Sequence, residues 1–100
     1  MKGRALGRIG AACERLVQAD LLRRGFEVTV PINPAAKHDL HVDLPSVGWT
    51  GVSVKAARRG AGGLRNDRGR SNSPVLALVL LSTGRIEYRP GTEELPPELK

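Results

Sequence analysis

The sequence predicts an α/β (α+β) domain in which an N-terminal helix packs on a central mixed sheet. Three patterns point there. Apolar residues recur with helical spacing through the first quarter of the chain. The spacing then switches to strict alternation over 26–30, 40–44 and 50–57. An unbroken apolar run, PVLALVLL from Pro74 to Leu81, follows and reads as a buried strand, with a short helix as the alternative.

The helix is expected over 4–24. Leu6, Ile9, Cys13, Leu16 and Val17 fall on one stripe, with Leu21 at its border and Arg8, Arg15 and Leu22 on the far side. Gly25 suits the residue just past the helix end, and Arg23 and Arg24 occupy the last turn, where the dipole favours cations. Glu14 lies at the border of the stripe, about 100° from its middle at 100° per residue.

The next segment, FEVTV, sets Phe26, Val28 and Val30 against Glu27 and Thr29 and is closed by Pro31. In HDLHVDLP, Leu40, Val42 and Leu44 share one face and Asp39, His41 and Asp43 the other. TGVSVKAA puts Val52, Val54 and Ala56 opposite Gly51, Ser53 and Lys55. The short link PSVGW suits a hairpin. GRIEYRP, after an STG turn, is the last strand. The organisation expected is one domain over 1–90, carrying an Arg/Gly-rich loop at 60–73, then an acidic, proline-containing tail at 91–100.

Only three aromatic residues are present, Phe26, Trp49 and Tyr88, so the core must be aliphatic. No apolar run is long enough to span a bilayer, and the N-terminus has no apolar stretch of the secretory kind. The single cysteine, Cys13, makes no internal disulfide, which fits a reducing, cytoplasmic setting.

The net charge is +6 and unevenly spread. The segment 91–100 sets Glu93, Glu94 and Glu98 against Lys100, a local −2, which leaves +8 on residues 1–90. Between Arg58 and Arg70 lie five arginines, Arg58, Arg59, Arg65, Arg68 and Arg70, and one acid, Asp67. Guanidinium groups fork onto phosphate, so a polyanion is the expected partner, nucleic acid being the commonest one.

The polar face of the predicted hairpin carries the chemistry. With Asp43 opposite Gly51, His41 opposite Ser53 and Asp39 opposite Lys55, all of these polar side chains gather on one face. A carboxylate there can hold a hard divalent cation, and a lysine beside it can act on a water or a phosphate. Asp43 stands about 13 Å from Asp39 along the strand, too far to share one ion. His41 on a solvent-facing strand is more ordinary than catalytic.

These residues, in this order, resemble the PD-(D/E)XK nuclease superfamily, in the style of small Holliday-junction resolvases and group I intron homing endonucleases. The matching features are Gly10 and Glu14 on the helix, GFEV at 25–28, Asp39 at the start of a strand, and Lys55 in VKAARRG. The resemblance covers roughly residues 8–60 and the apolar strand. It implies a restriction-endonuclease-like core and a Mg²⁺- or Mn²⁺-dependent DNA endonuclease, with branched or structured DNA among its expected substrates. Glu14 and Asp39 would hold the metal with help from the Val54 carbonyl, and Lys55 would be the catalytic lysine. A homodimer would cut both strands. Arg58, Arg59, Arg65, Arg68 and Arg70 would follow the nucleic-acid backbone. The departure is Ser53, which stands where the family carries Glu or Gln; its neutral hydroxyl is a poorer ligand. Two further readings remain open: a nucleic-acid-binding module without catalysis on the same fold, and an RNA- or ribosome-associated structural protein.

Overall fold

The computed structural model describes residues 2–33, 36–65 and 71–100. Helix α1 (Lys2–Arg23) is followed by β1 (Glu27–Thr29), β2 (Leu40–Leu44) and β3 (Gly48–Ala56). A small hairpin, β4 (Arg58–Gly60) and β5 (Gly63–Arg65), precedes β6 (Val75–Leu80) and β7 (Arg85–Pro90). The main sheet has the order β1-β2-β3-β6-β7; β3 and β6 are parallel and the other neighbours antiparallel. The chain is thus α+β, a helix on a mixed five-stranded sheet, as the sequence predicts, and the apolar run is a strand.

Helix α1 ends in a Schellman motif. The Gly25 N–H donates to the Leu22 carbonyl (2.9 Å) and the Phe26 N–H to the Leu21 carbonyl (3.2 Å). Gly25 adopts φ +92°, a conformation that other residues rarely take. The buried stripe is Cys13, Val17 and Leu21, packed on Leu40, Val42, Val52, Val75, Ala77 and Val79. It runs one turn further along the helix than the sequence suggests. Leu21, expected at the border, is fully buried, whereas Ile9 is 39% exposed. A helix of 22 residues is about 33 Å long, and among its described side chains the first buried one is Cys13. The far end is fastened to β7: Tyr88 donates its hydroxyl to Asp20 (2.7 Å), which also holds Arg24 at 3.0 Å.

The β2–β3 hairpin is shifted by two residues from the predicted pairing. Leu40 faces Val52, His41 faces Gly51 and Asp43 faces Trp49. The cause is a tighter turn: the Val47 N–H closes onto the Leu44 carbonyl at 3.1 Å, and Gly48 takes φ +82°. A shift of two preserves the face of every side chain, so His41, Ser53 and Lys55 keep their predicted parity, whereas Asp39, which precedes β2, turns to the Glu14 side and leaves the face of Lys55.

Two segments are more structured than the sequence suggests. Residues 58–65 form the β4–β5 hairpin, whose Leu64 is 1% exposed and packs on Leu78 and Leu80, covering the sheet face opposite α1. Near the C-terminus Leu95 and Leu99 pack into the main core. There Glu98 accepts both the N–H (2.7 Å) and the hydroxyl (2.6 Å) of Ser46, and these bonds hold its carboxyl below the usual range. Among the described residues, no helix is long and apolar enough to cross a membrane.

Candidate functional site

Asp39 sits at the point where β2 begins. Its N–H donates to the Val52 carbonyl at 3.0 Å, and its carboxylate accepts the Val54 N–H at 2.8 Å. The β2–β3 register would place the backbone of residue 38 opposite Val54. The chain has already turned away there, and the Asp39 side chain takes over the bond.

Glu14 follows the buried Cys13 on α1 and is half-buried. It shares with Asp39 a pocket of about 220 Å³, walled also by Val30, Pro31, Asn33 and His38. A neighbouring hollow of about 320 Å³ also borders Glu14 and Val30, with Arg15, Gln18 and Leu40. Burial first, and then the Asp39 carboxylate, push the Glu14 pKa above the ordinary glutamate value. Burial and the nearby Glu14 charge raise the Cys13 thiol in the same way. Two carboxylates far apart in sequence are therefore brought together beneath the helix.

Ser53 does not line this pocket. It is 6% exposed, and its hydroxyl lies 2.6 Å from that of Ser73, which is fully buried. The Ser73 hydroxyl is in turn 2.6 Å from His38 Nδ1. Gly91 makes room for this: its N–H donates to the Pro74 carbonyl at 2.9 Å, the Thr92 N–H donates to the Ser73 carbonyl at 2.9 Å, and a Cβ at Gly91 would overlap that carbonyl. Burial, then His41 and Lys37, lower the His38 pKa, with Asp39 opposing.

Lys55 is half-buried, one residue past Val54 and on the sheet face of Ser53, opposite α1. The lining of the pocket stops short of it. Asp43 lies at the other end of its strand, opposite Trp49 and beside Glu27. Among the described residues, no cluster of three or more His, Cys, Asp or Glu has metal-holding geometry.

Arg58, Arg59 and Arg65 are exposed on the β4–β5 hairpin, Arg58 directly opposite Arg65. Glu87 secures this hairpin to the sheet, accepting the Leu64 N–H (3.3 Å) as well as Arg89 (2.6 Å) and Arg85 (2.8 Å). The Arg89 bond above all holds the Glu87 carboxyl below the usual range. Arg68 and Arg70 lie outside the described residues.

Sequence reasoning missed His38 and Ser73. The one available signal was the position of His38 beside Asp39; nothing in the sequence joins either residue to a partner 35 positions away.

The helix over one face of a mixed five-stranded sheet is consistent with an endonuclease-like fold. Among solved structures, a bacterial homing endonuclease, I-Ssp6803I, superposes with a TM-score of 0.64 over 82% of this chain and 62% of that one. The two are 17% identical, so the likeness is one of fold, and this chain spans less than two thirds of that protein's length. No protein-family model matches the chain, and no curated protein matches it.

Proposed function

We propose that the chain is a metal-dependent DNA endonuclease of the PD-(D/E)XK type. The observation that carries this reading is the meeting of Glu14 and Asp39 at one pocket, where the Asp39 carboxylate adds to burial in raising the Glu14 pKa. Like charges held close invite a cation. Mg²⁺ commonly uses one or two carboxylates and keeps several waters, so this donor pair fits it without a third acid. The fold shared with a homing endonuclease supports the same reading.

In this reading Glu14 and Asp39 hold Mg²⁺ or Mn²⁺. The Val54 carbonyl assists: a strand residue that pairs through its N–H directs its carbonyl to the same side, here the side of Asp39. Bound between these two acids, the ion would supply a water of lowered pKa and polarise the phosphate. Lys55 places its ammonium by the attacking water or the developing charge. Arg58, Arg59 and Arg65, with Arg68 and Arg70 beyond the described residues, follow the backbone of DNA. A homodimer supplies one site per strand.

A second reading rests on Ser53. Its hydroxyl is occupied with Ser73 where the superfamily places a carboxylate or an amide, and that favours a DNA-binding module without cleavage. Incubating duplex and branched DNA with Mg²⁺ or Mn²⁺, with Lys55→Ala as control, separates the two. Cleavage by the native chain that the variant lacks supports the enzyme; binding without cleavage in both supports the module.

A further inference from the structure

His38 borders the pocket of the two acids, and its ring is held by neighbours on three sides. His38 packs against Gly51, where a Cβ would come within 2.5 Å of the ring. The His41 ring meets it edge-on, with centroids 5.3 Å apart at 87°. Its Nδ1 is committed to the Ser73 hydroxyl, and Ser73 to Ser53, at 2.6 Å each.

The protons in this chain have a preferred direction. If Ser53 donates to Ser73 and Ser73 donates to Nδ1, both hydroxyl protons have acceptors. Run the other way, with Nδ1–H donating to Ser73 and Ser73 to Ser53, the Ser53 proton has none among the described residues. Among the described residues the Ser73 hydroxyl is the hydrogen-bond partner of the Ser53 side chain. A donor at so buried a position is costly to leave unmatched, so the first direction prevails. It leaves Nδ1 as acceptor and puts the proton of the neutral ring on Nε2.

We propose that His38 is a substrate-contacting residue of this site, its Nε2–H donating a hydrogen bond to a non-bridging phosphate oxygen of bound DNA. Ser73 and Ser53 are positioning residues that fix the tautomer. The inference rests on the nuclease reading, and it gives Ser53 a role other than a missing ligand. The phosphate oxygen gains charge during hydrolysis, so a prealigned donor acts most strongly in the transition state.

The test is a long-range proton–nitrogen NMR spectrum of the imidazoles, recorded near pH ~8, where a histidine is neutral. His38 should show a protonated Nε2 and a bare Nδ1. Ser73→Ala should convert this to a mixture of tautomers, which a merely structural loss would not do. Adding a short duplex DNA in Ca²⁺ should shift the His38 Nε2 resonance. In Mg²⁺, His38→Ala should cut about 10- to 100-fold more slowly with duplex affinity changed far less. His38→Gln, whose amide reaches the same position, should recover part of the rate. A protonated Nδ1, or an unmoved Nε2 while arginine resonances shift, overturns the role of His38 and leaves the nuclease reading standing. Absence of any DNA-induced shift together with absence of cleavage by the native chain overturns the nuclease reading itself.

Discussion

The Val54 N–H donates to the Asp39 carboxylate at 2.8 Å, so the acid that begins β2 also completes the hydrogen bonding of β3. Asp39 consequently has two separable tasks. Its oxygen satisfies a partly buried backbone donor, and its charge meets Glu14 across the pocket. The first needs only an acceptor; the second needs an ionised group.

Two substitutions separate these tasks. Asp39→Asn keeps an amide oxygen for the Val54 N–H, so its urea midpoint should stay close to that of the native chain while metal binding and cleavage are lost. Asp39→Ala leaves the donor unmatched and should cost about 1–3 kcal/mol of stability as well. Equal stability in the two variants would mean that the bond to Val54 contributes little.

Glu14 predicts an unusual pH dependence. Its folded-state pKa is raised, by burial first and Asp39 second. Between the unfolded and folded values the native state holds the proton more often than the unfolded state does. Stability therefore falls as pH rises through that window. Glu14→Gln removes the effect. In the absence of divalent ions the variant should unfold at a higher urea concentration than the native chain near neutral pH. That advantage should disappear below the ordinary glutamate value of 4.5. Adding Mg²⁺ should stabilise the native chain and leave Glu14→Gln nearly unaffected.

The parts of this fold that the sequence reveals are those set by local periodicity. Leu40, Val42 and Leu44 alternate without exception and are all fully buried, and Gly25 ends the helix where its lack of a Cβ is needed. Pairing is different. The turn at 44–48 admits more than one closure, and only the tertiary structure chooses between registers two residues apart, because both bury the same face. The β4–β5 hairpin escapes a compositional reading because one leucine, Leu64, anchors a glycine- and arginine-rich segment. Of the candidate site, Glu14 and Asp39 were legible from their order on helix and strand. The Ser53–Ser73–His38 chain was not, since its members come from three separate segments.

Leu64 supports the basic hairpin from below. It is 1% exposed against Leu78 and Leu80. Leu64→Ala should destabilise the chain by about 2–4 kcal/mol, the usual cost of a leucine cavity, measured by urea unfolding. If the loss is confined to local opening of the hairpin, amide exchange should accelerate at residues 58–65 and not in β2.

The arginines of that hairpin should set the salt dependence of DNA binding. Removing one arginine that neutralises a phosphate lowers the slope of log affinity against log salt by about 0.9 on duplex DNA. The double variant Arg59→Ala/Arg65→Ala should therefore reduce the slope by about 2, with similar losses of affinity on unrelated sequences. An unchanged slope would place the DNA on another face.

Lys55 distinguishes an enzyme from a binding module. It lies one residue past Val54, whose N–H is held by Asp39, on the face of Ser53, and it does not line the pocket of the two acids. An ammonium on a flexible stem can still reach a phosphate spanning from that pocket towards the hairpin. Because it would act on the water and on the charge formed during cleavage, its loss should lower turnover rather than affinity. Lys55→Ala should bind duplex DNA in Ca²⁺ within about threefold of the native chain and cut it at least about 100-fold more slowly in Mg²⁺. Lys55→Arg keeps the charge but not the compact ammonium, and it should recover little of the rate. If Lys55→Ala weakens binding and cleavage by the same factor, Lys55 touches the DNA backbone as the arginines do, and the chemistry must be assigned to the Glu14–Asp39 pair without it.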